Sequence, residues 1–273
     1  MRLSIGQAFS ETRGVLTRDG GLITTVALAL MVVPGVLAAL VEPPATGGSE
    51  PGSALGLLSL IAGLIGFAGQ IAICRIAVGP SLTVREAIAT GFGRLPAFFV
   101  SLLLWLMPIV ILMGVAMVGA GFDPQNPAAS TPEPNLAISL FVMALLVVLF
   151  VVSVRMSFGS ALAADTRLGP LAIIKRSWQL TRGHWFKLFG LVVIAAILLF
   201  VVVIGLGSAI ASVVILLLGQ PEAMSVSLLI IALSQQLLSA VVLVLLAIVL
   251  ARCYVQIAKV GAVDASVPDA GHR

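Results

Sequence analysis

The 273-residue chain is 60% hydrophobic and only 10% charged, with 15 Lys and Arg residues, 11 Asp and Glu residues and a net charge of +4. An ordinary globular domain carries about 25% charged residues, so a water-soluble fold cannot hide this much apolar surface. The composition excludes a soluble globular protein and indicates that lipid forms part of the solvent around the folded chain.

Six long apolar runs follow a polar N-terminal segment. Each run exceeds the ~18 residues that indicate a transmembrane helix. The first run starts too far into the chain for a typical cleaved signal peptide, so we expect it to be retained. The fifth run is longer than a perpendicular span requires, which predicts a tilt or a bend at Gly205-Leu206-Gly207. The runs lie at roughly 22–41, 54–78, 96–120, 136–160, 188–218 and 224–254.

The basic residues indicate which connections share one side of the membrane. All 15 Lys and Arg residues fall in the N-terminal segment, the connections 79–95 and 161–187, the C-terminal tail, or the helix ends beside them. The connections 42–53, 121–135 and 219–223 carry none, and they are rich in the residues of flexible connectors. The positive-inside rule therefore predicts that both termini are cytoplasmic. The basic-free connections hold Glu42, Glu50, Asp123, Glu133 and Glu222.

The same unit is predicted three times along the chain: an amphipathic segment, then two spans joined by a basic-free loop. A Ser/Thr-x-x-Gln/Glu capping box opens the first two units at Ser4 and Thr83. The third unit begins with Gly169-Pro170, where Pro suits the first position of a helix. Each unit closes on an arginine near the end of its second span, and these arginines are Arg75, Arg155 and Arg252.

The predicted fold is therefore an all-α membrane protein. Its six transmembrane helices form three repeats of an amphipathic interfacial helix plus a transmembrane hairpin. We expect a single transmembrane domain over residues 1–260 and a short cytoplasmic tail over residues 261–273.

The amphipathic segment of the third unit carries the clearest interfacial pattern. Trp178 and Trp185 are predicted to anchor it at headgroup depth, because tryptophan favours the membrane interface. The predicted apolar face consists of Leu171, Ile174, Trp178, Thr181 and Trp185. The predicted polar face consists of Lys175, Arg176, Gln179 and Arg182. A basic amphipathic helix of this kind lies in the interface with its cations at lipid headgroups.

The segment between Arg155 and Gly190 carries a recognisable pattern: an arginine ending a span, Gly-Pro, Ser-Trp-x-Leu-Thr-x-Gly-x-Trp, and the next span. The matching positions are Arg155, Gly169, Pro170, Ser177, Trp178, Leu180, Thr181, Gly183 and Trp185. The pattern resembles the polytopic membrane domain found ahead of some bacterial glycerophosphodiester phosphodiesterases, which also occurs as a stand-alone protein. The resemblance implies a multi-pass protein of the bacterial inner membrane. A phosphodiesterase domain needs a set of metal-binding carboxylates and catalytic histidines, which the short tail from Gly261 to Arg273 cannot supply, so we do not expect that activity.

Candidate site residues are cations near the predicted cytoplasmic face. The first hypothesis is that Arg75, Arg155 and Arg252 bind lipid phosphate, because the planar guanidinium matches phosphate oxygens. The alternative is that these arginines are ordinary topology anchors whose stems lie along apolar surface. Further candidates for headgroup contact are Lys175, Arg176 and Arg182.

Other polar residues indicate no catalytic, cofactor or metal site. Cys74 and Cys253 are predicted to be reduced and unpaired, and His184 lies between Gly183 and Trp185 without a local catalytic partner. Gln70 and the run Ser234-Gln235-Gln236 fall inside spans, where they either bind neighbouring helices or line a polar path.

Three classes of function compete. The favoured one is a non-enzymatic membrane protein that handles phospholipid, maintains the membrane or serves as a scaffold. Its partners would be membrane lipids, chiefly anionic phospholipid, with a protein partner or a second copy of the chain as further partners. The alternative is a transporter or permease subunit, since transporters are often built from repeats. A membrane-embedded enzyme is least favoured, and nucleic-acid binding is not expected, because the cations follow the bilayer face.

Overall fold

The computed structural model describes residues 5–41, 54–79, 83–122, 136–222 and 224–266, and this part of the chain is helical and contains no strand. The all-α prediction is therefore confirmed for the described residues. The α-helices are α1 (Ile5–Ala27), α2 (Val33–Val41), α3 (Ala54–Val78), α4 (Val84–Gly119), α5 (Leu136–Arg155), α6 (Gly159–Asp165), α7 (Pro170–Thr181), α8 (Trp185–Leu199), α9 (Gly207–Leu218) and α10 (Val226–Ser266). Two π-helical segments, Leu28–Val32 and Phe200–Leu206, join α1 to α2 and α8 to α9.

Six helical stretches of the described chain are long and apolar enough to cross a membrane, which confirms the predicted number of spans. They are span one (Gly6–Val41), span two (Ala54–Val78), span three (Val84–Gly119), span four (Leu136–Asp165), span five (Trp185–Leu218) and span six (Val226–Ala258). Spans one and three begin earlier than their apolar runs, because the preceding amphipathic segments continue into the same helix. Pro96 and Pro108 lie inside α4 without ending it.

Span six forms the centre of the bundle. Inside its most apolar window 56% of the residues are buried, against 11% in each of spans three, four and five. The apolar side chains of those three outer spans are largely exposed, including Val115, Val147 and Ile194. Exposed apolar surface on this scale is what lipid-facing helices present.

The best-packed part of the bundle lies at the end that carries the basic residues. The short helix α6 is buried from Gly159 to Ala164 and packs against α3, α4 and α10. The Cys74 thiol donates to Ser160 Oγ at 3.5 Å and lies 3.9 Å from the carbonyl oxygen of Ala247. Spans two and six therefore meet on α6. Both cysteines are buried and free.

The two π-helical segments lie where the sequence favours a break in α-helical bonding. The Val33 N–H donates to the Leu28 carbonyl, and the next residue, Pro34, has no N–H to donate. In span five the Gly207 N–H donates to the carbonyl of Val202. The irregularity predicted at Gly205-Leu206-Gly207 is therefore a π-helical segment within a continuous helix, which is a common cause of bending.

The capping box predicted at Thr83 is present. Thr83 Oγ1 accepts from the Glu86 N–H, and Glu86 Oε2 accepts from the Thr83 N–H at 2.9 Å. The helix therefore starts where the pattern predicts, and Pro170 occupies the start of α7 as expected. Ser4, the first residue of the other predicted capping box, lies outside the described residues.

The structure does not confirm three separate interfacial helices. Only α7 is a distinct helix before its span, whereas the corresponding segments of units one and two are the first turns of α1 and α4. Each segment nevertheless buries two small residues four positions apart. These pairs are Ala8 and Thr12, Ala87 and Gly91, and Ser177 and Thr181. They allow each segment to pack closely on a neighbouring span.

Candidate functional site

The basic ends of the spans are brought together at one end of the bundle, which we call the basic face. Tyr254 on α10 donates to Asp165 at the end of α6 at 2.9 Å. Gln256, two residues further along α10, donates to Glu11 on α1 at 3.4 Å. These contacts join the N-terminal segment, the α6–α7 region and the end of span six, which are the regions that carry the cations.

Arg155 has the most defined surroundings of the candidate arginines. Its guanidinium carbon lies 4.8 Å from the ring centroid of Trp178, a cation–π distance. Its backbone carbonyl accepts a hydrogen bond from Ser177 Oγ at 2.7 Å. Ser177 is fully buried, whereas Trp178 is 43% exposed. Two adjacent residues of α7 therefore hold both the backbone and the side chain of the residue that ends α5.

The face of α7 that packs on the rest of the protein is not the predicted apolar face. The buried residues are Ile173, Ser177 and Thr181, whereas Leu171 and Trp178 are exposed. Ser177 is buried because it is small and forms a hydrogen bond, and neither property appears in the hydrophobic pattern. Trp185 does not continue this face, since α7 ends at Thr181 and Gly183 has a φ of +92°.

The other two span-end arginines lie against different elements. Arg252 interacts electrostatically with Glu11, Arg18 and Asp19 of α1. The Arg75 guanidinium folds back over Gly79 at the end of its own helix. A single cluster of the three arginines stays a prediction. Within the described residues none of the three forms an ion pair.

The cations of α7 and its C-terminal turn are exposed. Lys175, Arg176 and Arg182 are all exposed, in agreement with the polar face that the sequence predicts. Arg176 is close enough to Tyr254 to interact with it electrostatically, which places this helix over the end of span six. Exposed cations of this kind attract an anionic surface without fixing one ligand.

Four polar atoms near the junction of α5, α7 and α8 are buried without a hydrogen-bond partner. They are Arg155 Nε, Ser157 Oγ, His184 Nδ1 and Trp185 Nε1. A buried polar group without a partner is costly, so a group of them indicates where a polar ligand or water is needed. Ser157 was not predicted, and its only sequence signal is its position two residues after Arg155.

The glutamines of span six lie against glycines of other spans. A Cβ added at Gly35 would overlap the side-chain amide of Gln236, and a Cβ added at Gly207 would overlap the side-chain amide of Gln235. These contacts match the helix-packing interpretation of the Ser234-Gln235-Gln236 run. Gln70 follows Gly69, which faces Leu30 of span one.

The described residues contain no group of three or more His, Cys, Asp or Glu side chains placed to hold a metal ion. The chain belongs to the family described as a domain of unknown function (DUF7847), whose model matches residues 3–257. No curated protein and no solved structure matches the chain.

Proposed function

We propose that this chain is a non-enzymatic, multi-pass protein of the bacterial inner membrane that handles anionic phospholipid at a cytoplasmic basic face. The observation that carries the proposal is the position of Arg155, whose guanidinium forms no ion pair within the described residues and is stacked on the partly exposed ring of Trp178. Tryptophan favours the headgroup region, so this cation lies at the depth of lipid phosphates.

The charge distribution supports an orientation with this face in the cytoplasm. The connections 42–53, 121–135 and 219–223 hold five acidic residues and no Lys or Arg. Each basic residue near an anionic leaflet contributes about 1 kcal/mol of attraction. Exposed Lys175, Arg176 and Arg182 therefore hold the basic face against anionic lipid, while Arg155 offers a more fixed contact.

The packing of the buried small residues supports the threefold repeat, which remains part of this proposal. Gly91 contacts Ala68 of span two, and Ser177 contacts the end of span four. Ala8 belongs to the same apolar cluster as Cys253 of span six. Each amphipathic segment thus packs on the second span of the preceding unit, and the first packs on the last. We propose a closed ring of three units.

The resemblance to the membrane domains of glycerophosphodiester phosphodiesterases fits this proposal, because those domains accompany enzymes of phospholipid-derived substrates. The residues that carry the resemblance, including Arg155, Ser177 and Trp178, are the ones that make the contacts at the α5–α7 junction. The shared pattern is therefore a structural unit of the basic face.

The test is to extract the protein in polymer nanodiscs and to identify the retained lipids by native mass spectrometry. We expect anionic phospholipid to be enriched over the bulk membrane. A variant with K175Q, R176Q and R182Q is expected to retain less of it, because these exposed cations lose their attraction. A lipid profile equal to the bulk membrane in the unchanged protein would overturn the proposal.

A transporter or permease subunit is the second candidate. It is favoured by the π-helical segments of spans one and five, which lie beside the polar Gln235 and Gln236 of span six. Single π-helical turns inside α-helices are frequent at functional sites. Substrate-dependent flux into proteoliposomes, lost in a Q235L/Q236L variant, would support this candidate over lipid handling.

A further inference from the structure

We infer that Arg155 and Trp178, at the junction of α5 and α7, form a specific binding site for the phosphate of a phospholipid headgroup. The inference rests on the proposed function and locates it at one site. It is distinct from the diffuse attraction that the exposed cations of α7 exert on any anionic surface.

The site is fixed in position before a ligand arrives. Ser177 is fully buried and bonds the Arg155 carbonyl at 2.7 Å, so α7 cannot slide along the end of α5 without breaking this bond. The neighbouring Trp178 then stacks on the guanidinium at 4.8 Å. A side chain held in place loses less conformational entropy on binding than a free arginine does.

The chemistry of the donors favours phosphate. Arg155 is half-buried and forms no ion pair among the described residues, so it has a charge to be neutralised. The Trp178 ring contacts the Arg155 guanidinium through its π system. This contact leaves guanidinium N–H groups to donate to phosphate oxygen atoms. Ser157 Oγ and Trp185 Nε1, close to this junction in the chain, are further groups without a partner.

The surroundings favour the phosphate of a lipid over a soluble one. Leu171 on α7 is 72% exposed, and Phe186 in the first turn of α8 is 82% exposed. Large exposed apolar side chains on the helix that carries Trp178 and on the helix that follows it match a ligand that has acyl chains as well as a charged headgroup. A soluble phosphate ion has no apolar part, so these side chains would not strengthen its binding.

The experiment compares phosphatidylglycerol with phosphatidylcholine binding to the full-length protein in detergent, titrated by native mass spectrometry. We expect R155Q to weaken phosphatidylglycerol binding about tenfold, since a hydrogen-bonded ion pair is worth roughly that factor. The control is R85Q, which removes one exposed charge from the same face. We expect less than about a twofold change in R85Q, because an exposed charge contributes weakly.

A second variant, W178L, keeps the charge and removes only the stacked ring. Because Trp178 is partly exposed, we expect W178L to fold even if R155Q does not. Loss of the cation–π contact should weaken phosphatidylglycerol binding about threefold. Equal effects of R155Q and R85Q, or no effect of W178L, would overturn the site while leaving lipid handling intact.

Two further outcomes separate the possible failures. If the unchanged protein shows no preference for phosphatidylglycerol over phosphatidylcholine, the proposed function itself fails. If inorganic phosphate at the same concentration displaces phosphatidylglycerol, the site takes soluble phosphate and its lipid assignment is wrong. Retention of phosphatidylglycerol in the presence of inorganic phosphate supports the lipid assignment.

Discussion

Gly91 of span three lies directly against the carbonyl group of Ala68 in span two. A methyl group at Gly91 would stand 3.2 Å from the Ala68 carbonyl carbon, 3.3 Å from the Cβ of Ala72, and closer still to the Ala68 oxygen. The Ala68 carbonyl belongs to the backbone, so it cannot make room by changing a side-chain rotamer. The two helices therefore approach as closely as they do only because residue 91 has no side chain, as at other small-residue contacts between membrane helices.

The first prediction is that G91A destabilises the bundle by about 2–3 kcal/mol, because the added methyl group forces the two helices apart. The matched control is G93A in the same helix, whose added Cβ would meet nothing within 4 Å. Alanine is the better helix former by up to about 1 kcal/mol, so G93A should be neutral or stabilising. Unfolding in mixed detergent micelles measures both. Equal stabilities of the two variants would contradict the close approach.

The second prediction concerns Gly35, where the obstacle is the flexible end of a side chain. A Cβ at this position would lie 2.6–2.8 Å from the amide atoms of Gln236. We expect G35A to cost less than about 1 kcal/mol, because the glutamine can adopt another rotamer. In the double variant G35A/Q236A the two effects should not add, since the residues are in contact. Additive effects in the same unfolding assay would show that they do not touch.

Hydropathy and charge were sufficient to predict the helical class and the number of spans, because each span needs a continuous apolar run whatever its neighbours. Local chemistry also predicted the start of α4, where Thr83 and Glu86 satisfy each other's backbone groups. Both results depend on residues close together in the sequence. They therefore need no knowledge of how the helices pack.

The packing of the basic face was not predictable in the same way. The contact between Cys74 and Ser160 joins residues 86 positions apart, and the one between Tyr254 and Asp165 joins residues 89 apart. No periodic pattern links such pairs. The burial of Ser177 in α7 was not predicted, because its small size and its hydrogen bond leave no mark on the hydrophobic pattern. The sequence therefore identified Arg155 and Trp178 as candidate site residues, but it did not show that they are in contact.

The third prediction tests the orientation of the basic face. A cysteine at Arg85, which is exposed beside the start of α4, should resist a membrane-impermeant maleimide in intact cells. A cysteine at Glu222, exposed before α10, should be labelled. Cys74 and Cys253 are buried and serve as an internal background. Labelling of permeabilised cells measures the total maleimide reactivity of each variant. Labelling of R85C but not E222C in intact cells would contradict the proposed topology.

The fourth prediction concerns Ser177 and the end of α5. Because α5 ends at Arg155, the carbonyl of that residue lacks a helical donor, and the buried Ser177 hydroxyl supplies one at 2.7 Å. S177A should therefore cost about 1–2 kcal/mol, the penalty for a buried polar group left without its partner.

The control for this variant is S153A in α5 itself. Ser153 Oγ bonds the carbonyl of Leu149 at the same distance of 2.7 Å, but that carbonyl lies inside the helix and keeps its backbone donor. We expect S153A to change the unfolding free energy by less than about 0.5 kcal/mol. Because S177A also frees α7 from α5, an aqueous quencher should reduce Trp178 fluorescence more in S177A than in S153A, with both variants made in a W105F/W185F background so that Trp178 is the one tryptophan left. Equal losses of stability and equal quenching would mean that the Ser177 bond does not hold the two helices together.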